Sequence, residues 1–104
     1  MKRFHIALSV EDFSKSIEEY SQKLESRPSV IVDGEYALWR KPTLNFSIRK
    51  VDQSPGTLRH LGWEDPSAEG FTSEKDCNGV LWENFRKEDQ EKEILEVWPD
   101  AKLN

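Results

Sequence analysis

The hydrophobic pattern of the first half opens with a strand and a helix. Residues 4–10 alternate between large apolar side chains and small or polar ones, which is the period of a half-buried strand. Apolar residues then recur at helical spacing, so a helix is predicted to bury one stripe. They are Phe13, Ile17, Tyr20 and Leu24. Asp12 precedes them and is predicted to cap the helix with its carboxylate.

Three further strands complete the first half. Residues 29–32 and 36–40 flank the dipeptide Asp33-Gly34, which is typical of a hairpin turn. Residues 44–51 alternate again between apolar and polar side chains. The proline and glycine in residues 53–57 predict a loop at the end of a β-α-β-β-β unit.

The second half repeats only part of this pattern. Residues 58–64 predict a strand, and residues 80–85 predict a second one. Pro66 and Gly70 interrupt the segment between them, so no helix is expected there. Residues 87–98 favour a C-terminal helix that packs on the domain or on a second subunit.

This order of elements predicts an α+β fold built on a curled mixed sheet. We expect one domain, 1–104, because a chain of 104 residues can bury one modest core but not two. Within it, residues 3–52 form the complete module, residues 57–86 a truncated second module, and residues 87–98 the terminal helix.

Composition narrows the class of partner. The net charge of −5 argues against a surface for nucleic acid or anionic membranes, so a small molecule or another protein is expected. The single cysteine, Cys77, excludes an intramolecular disulfide, and no apolar run reaches the length of a membrane span. These features predict a reduced, cytoplasmic protein.

The chemistry is concentrated in three strands. His5 and His60 are the two histidines of the chain, and each lies within a predicted strand, as does Glu83. Two imidazoles and one carboxylate that converge would form a three-ligand site for a divalent metal, with open positions for substrate. The alternative is that the histidines are unrelated and Glu83 faces solvent. The residues taken by themselves leave both interpretations open.

Three segments carry a resemblance to a known family. They are Arg3-Phe-His-Ile-Ala-Leu-Ser-Val-Glu-Asp-Phe-Ser-Lys-Ser-Ile-Glu-Glu-Tyr20, Leu58-Arg-His-Leu-Gly62 and Lys75-Asp-Cys-Asn-Gly-Val-Leu-Trp-Glu-Asn-Phe85. The chain resembles the superfamily of glyoxalase I, bleomycin-resistance proteins and extradiol dioxygenases, the vicinal oxygen chelate proteins. Two departures stand out. Cys77 stands where the family usually has proline, and the second module is shortened.

The resemblance implies a metal site and a class of chemistry. It places the metal ligands on His5, His60 and Glu83, with Zn, Ni, Mn or Fe(II) as the divalent ion. A metal-dependent lyase, isomerase or dioxygenase is then one expectation, in which the ion chelates vicinal oxygens of a small substrate. A non-catalytic protein that sequesters small molecules, as bleomycin-resistance members do, is a second. A degenerate homologue that serves only in interactions is a third.

Two further expectations follow from the strand at 44–51 and from the shortened half. Asn45, Ser47 and Arg49 share its polar face and are predicted to bind substrate, with Arg49 the partner of an anion; a solvated face is the alternative.

Only 22 residues separate His60 from Glu83, which leaves the sheet incomplete and a cup open on one side. A homodimer is therefore predicted to cover the exposed apolar surface.

Overall fold

The computed structural model describes residues 1–52 and 54–103. Its elements, in chain order, are β1 Arg3–Val10, α1 Phe13–Lys23, β2 Val30–Val32, β3 Tyr36–Arg40, β4 Leu44–Lys50, β5 Leu58–Glu64, β6 Thr72–Lys75, β7 Leu81–Phe85 and α2 Lys87–Val97. The described strands form one seven-stranded mixed sheet in the order β2-β3-β4-β1-β5-β7-β6. The predicted α+β fold is confirmed.

The first module has the predicted β-α-β-β-β order. The Asp12 carboxylate accepts a hydrogen bond from the backbone N–H of Lys15 at 3.1 Å, so it caps α1 as expected. The hairpin between β2 and β3 turns at Gly34, whose φ of +75° is one that glycine adopts without strain. The predicted loop 53–57 begins at Gln53, which lies outside the described residues.

β1 lies between the two halves of the sheet. It pairs in parallel with β4, where His5 is opposite Asn45, and antiparallel with β5, where His5 is opposite Gly62. The register with β5 is irregular. Ala7 pairs with His60 but Leu8 pairs with Leu58, so one residue of β5 is left over as a bulge.

One face of the sheet packs against α1. Because strand side chains alternate between faces, every second residue of β3 and β4 points to this helix. The buried residues of this cluster are Val10, Phe13, Ile17, Ala37, Trp39, Phe46 and Ile48. The indole N–H of Trp39 donates a hydrogen bond to the backbone oxygen of Ser26, so the largest side chain of the cluster has its polar atom satisfied.

The opposite face packs against α2. Ile94 of this helix joins Val30, Tyr36 and Leu38 in a second cluster. This helix was predicted from the sequence, which left open whether it packs on its own domain or on a second subunit. The sequence also predicted a cup that is open on one side. A single residue, Arg86, separates β7 from α2, so the helix folds back across its own sheet and covers part of that face.

The second half is abbreviated as predicted. Every residue between His60 and Glu83 is described, and none of them is helical. The edge strand β6 is short, and all four of its residues are exposed, features that discourage edge-to-edge pairing. An aromatic group of Phe4, Trp63 and Trp82 lies outside both clusters, and Trp63 remains 38% exposed.

Neither described helix is suited to a bilayer. α1 and α2 have 11 residues each, whereas a membrane span needs about 20 apolar ones. Within residues 1–52 and 54–103, no helix is long and apolar enough to cross a membrane. The cytoplasmic location remains a prediction.

Candidate metal centre

Three neighbouring strands bring His5, His60 and Glu83 together. The Nε2 atoms of the two histidines lie 2.9 Å apart, and His60 Nε2 lies 3.0 Å from Glu83 Oε1. One donor atom from each of the three residues falls within 4.8 Å of the other two. The arrangement is a possible metal site.

Two of the three spacings between donor atoms fit ligands of a single ion. Two ligand atoms bound at about 2.1 Å to one ion, at a right angle, lie roughly 3.0 Å from each other. Both close contacts, 2.9 and 3.0 Å, match that spacing. Two imidazoles and one carboxylate leave further positions of a six-coordinate ion open. The donor set therefore suits the divalent ions expected from the sequence.

The hydrogen bonds of His5 define which of its nitrogens is free. Its Nδ1 lies 3.1 Å from the backbone oxygen of Asn45 and 2.9 Å from the side-chain oxygen of the same residue. Both atoms are acceptors, so Nδ1 carries the proton and donates. The lone pair of His5 is then on Nε2, the atom that faces His60 Nε2, and this is the tautomer that ligates through Nε2.

His5 is also held in its neutral form. The residue is 2% exposed, and its ring packs edge-on against Phe85 with centroids 5.0 Å apart. Burial, followed by the neighbouring His60, lowers the pKa of His5 below its ordinary value. A neutral imidazole is the form that binds a metal.

A buried amide network holds Asn45 in place. Asn45 Nδ2 donates to Glu64 Oε1 at 2.9 Å and to Gln90 Oε1 at 2.8 Å, while Gln90 Nε2 donates back to Asn45 Oδ1 at 3.2 Å. A carboxylate can only accept, so the nitrogen of the amide must face Glu64. The oxygen is thereby turned toward His5. α2 contributes to this network through Gln90.

Glu64 anchors the network from the far side. It is 1% exposed, and its carboxylate accepts bonds from Arg3 Nη1 at 3.0 Å and from Arg40 Nε and Nη2 at 2.9 and 2.7 Å. Burial would raise the pKa of this carboxyl, but hydrogen bonds from Arg40 and Asn45, with the charges of both arginines, lower it. Glu64 is therefore ionised at neutral pH.

A cavity between α2 and the sheet adjoins the three residues. Its empty volume is about 500 Å³, including space that is open to solvent. It is lined by His5, Tyr36, Ser47, Arg49, Arg59, His60, Phe71, Glu83, Phe85, Gln90, Glu93, Ile94, Val97 and Trp98. Of the residues predicted to bind substrate, Ser47 and Arg49 line the cavity. Asn45 does not; it is fully buried behind His5.

Sequence reasoning missed several lining residues. Burial raises the pKa of Tyr36 to about 12, and partial burial together with Glu83 raises the pKa of Glu93. Burial and then the charge of Arg49 lower the pKa of Arg59. Glu93 lies in a helix with many charged residues, and its position in the sequence does not distinguish it from the carboxylates of that helix that do not line the cavity.

Comparison with known proteins adds one relative. No family model matches the chain. It is 36% identical over 87 residues to the trivalent organoarsenical cleaving enzyme of Bacillus sp. (strain MD1). The alignment covers 78% of this chain and 53% of that enzyme, so the chain spans about half the length of the curated relative. The similarity is to an enzyme that acts on a small molecule.

Proposed function

We propose that the chain is a member of the vicinal oxygen chelate superfamily and a metal-dependent enzyme acting on a small molecule. The convergence of His5, His60 and Glu83 from three strands carries the proposal. The similarity to an organoarsenical cleaving enzyme supports it from an independent direction. The bound ion would be divalent, with Zn, Ni, Mn and Fe(II) as candidates.

The residues around the centre have separable tasks. A divalent ion held there would act as a Lewis acid on neighbouring oxygens of the substrate. Asn45 keeps His5 in the ligating tautomer and so acts on the site through His5, without touching the substrate. Ser47 and Arg49 line the cavity and are placed to hydrogen-bond an oxygenated substrate.

The substrate of the relative is a candidate for this chain. Arsenic in the trivalent state is a soft centre that thiolates bind well. Cys77, the chain's single cysteine, is exposed and is not among the lining residues. A trivalent organoarsenical would therefore enter the cavity without a thiolate ligand from it. The assay is release of inorganic arsenic from a trivalent phenylarsenical by the metal-loaded protein.

Metal binding is the decisive test of the proposal. His5→Ala, His60→Ala and Glu83→Ala should each abolish stoichiometric binding of Zn²⁺ or Mn²⁺ in calorimetry while the far-ultraviolet circular dichroism stays unchanged. Glu19→Ala is the matched control, because Glu19 is an exposed carboxylate on α1, which packs on the opposite face of the sheet. In the wild type, metal at 100 times its Kd should stabilise the fold by about 2.7 kcal/mol.

Acid supplies a second readout. Imidazole must be neutral to ligate, so binding should weaken below about pH 6. Wild-type protein that binds no divalent ion, or three alanine variants that bind as the wild type does, would overturn the proposal. Metal binding without turnover of any small molecule would favour sequestration instead.

A further inference from the structure

Two arginines of the cavity have no ion-pair partner among the residues that the structure describes. The chain has six arginines, and Arg3, Arg27, Arg40 and Arg86 are each paired with a carboxylate. Within residues 1–52 and 54–103, the guanidinium groups of Arg49 and Arg59 form neither an ion pair nor a hydrogen bond. Both line the same cavity, and Arg49 lies over the Trp98 ring at 5.0 Å.

The bulge in β5 explains how Arg59 reaches the cavity. In a regular strand, consecutive side chains point to opposite faces, so Arg59 would face away from His60. Ala7 pairs with His60 and Leu8 pairs with Leu58, which leaves Arg59 as the extra residue of the bulge. Arg59 and His60 consequently both line the cavity. Bulges next to functional sites commonly re-aim a side chain in this way.

The electrostatic cost of this placement calls for an anion. Both arginines are partly buried and line the same cavity, so their like charges repel each other. The lining holds two carboxylates, Glu83 and Glu93, which offset two guanidinium groups. Glu83 is paired with His60, and among the described residues neither carboxylate forms an ion pair with Arg49 or Arg59, so the N–H groups of both arginines are left for an anion.

We propose that Arg49 and Arg59 form an anion-binding subsite and that the cavity takes a small aromatic carboxylate. A planar carboxylate matches the fork of a guanidinium group. Five of the other lining residues are apolar or aromatic, which suits a ring: Phe71, Phe85, Ile94, Val97 and Trp98. That this ligand is a substrate rests on the proposed function, whereas its binding to the two arginines does not.

The test compares benzoate with benzamide, its neutral analogue of similar shape. Both are titrated by calorimetry into the protein without metal and with Zn²⁺. The wild type should bind benzoate roughly 10- to 100-fold more tightly than benzamide in both states, the discrimination expected of charged hydrogen bonds. Arg59→Gln and Arg49→Gln should each remove most of that preference. Arg27→Gln, an exposed arginine on another surface, should leave it intact.

A further variant separates the charge of the Arg59 side chain from its forked geometry. Arg59→Lys keeps the positive charge but not the fork, so it should retain part of the preference for benzoate. Equal affinity for benzoate and benzamide, or a preference unchanged in Arg59→Gln, would overturn the subsite even if Zn²⁺ binds. If Zn²⁺ fails to bind while the preference for benzoate persists, the subsite stands and the metal-dependent function falls.

Discussion

Replacement of Glu64 by glutamine should destabilise the protein strongly. Glu64→Gln keeps the size of the side chain but removes the negative charge that faces Arg3 and Arg40. The amide also turns an N–H group toward one of those guanidinium groups, so at least one of the bonds from Arg40 is lost.

The magnitude follows from the burial of the three partners. Removing one member of a buried ion pair typically costs about 3–5 kcal/mol. The side chains of Arg3 and Arg40 are 21% and 25% exposed, so water partly compensates them and the loss is smaller. We expect about 2–3 kcal/mol, which at roughly 4–8 °C per kcal/mol is a large drop in Tm.

The pH dependence identifies the cause. The pKa of Glu64 in the folded protein is below the ordinary value of 4.5. Its stabilising contribution is therefore complete above the unfolded pKa and is lost as the pH falls through the folded one. Urea unfolding of wild type and Glu64→Gln should give a constant difference from pH 7 to about pH 5.5, and the two should converge in stronger acid.

An exposed ion pair supplies the control for this measurement. Glu18 pairs with Arg27, and their side chains are 70% and 61% exposed. Glu18→Gln should change stability by no more than the error of the measurement. A difference for Glu64→Gln below about 0.5 kcal/mol, or one that persists unchanged at acid pH, would refute the account of Glu64 as a buried, charge-paired anchor.

Three other predictions concern the strand contacts, the His5 tautomer and the oligomeric state. In Gly62→Ala, the new Cβ would lie 2.0 Å from the backbone oxygen of Glu83, so β5 and β7 must separate. The free energy of unfolding in urea should fall by about 1–3 kcal/mol, and calorimetry should show weaker Zn²⁺ binding. Wild-type values in both measurements would contradict this prediction. Asn45→Ala should weaken Zn²⁺ binding roughly 10- to 100-fold and populate the second His5 tautomer in ¹⁵N NMR spectra, whereas an unchanged spectrum would remove Asn45 from its positioning role. Light scattering should give a dimer at concentrations on the order of tens of micromolar, with the partly exposed Trp63 in the contact, and a monomer would speak against the homodimer.

The sequence predicted the elements and three of the converging residues because both depend on local pattern. The alternation of a strand and the spacing of a helix are visible among residues close in sequence, so β1, α1 and the following strands could be predicted from these patterns. The central positions of His5, His60 and Glu83 in their strands, together with the resemblance, suggested one cluster. The structure brings the three together; their role as ligands remains a proposal.

The supporting residues were not predictable in the same way. Glu64 ends its strand and looks like a solvated carboxylate until Arg3 and Arg40 from two other strands surround it. Arg59 belongs on the opposite face from His60 in a regular strand, and the bulge that reverses this depends on pairing with β1. Such contacts are set by tertiary packing, which local sequence does not contain.

The pairing of β1 with β5 divides the candidate centre between the two halves of the chain. His5 lies on one side of this ladder, and His60 and Glu83 lie on the other. Local opening of the ladder would separate the donor atoms before either half loses its own structure. A bound ion would act as a crosslink across this joint, so amide hydrogen exchange in β1 and β5 would slow on binding, and the rate of ion release would be bounded by the rate at which the two strands part.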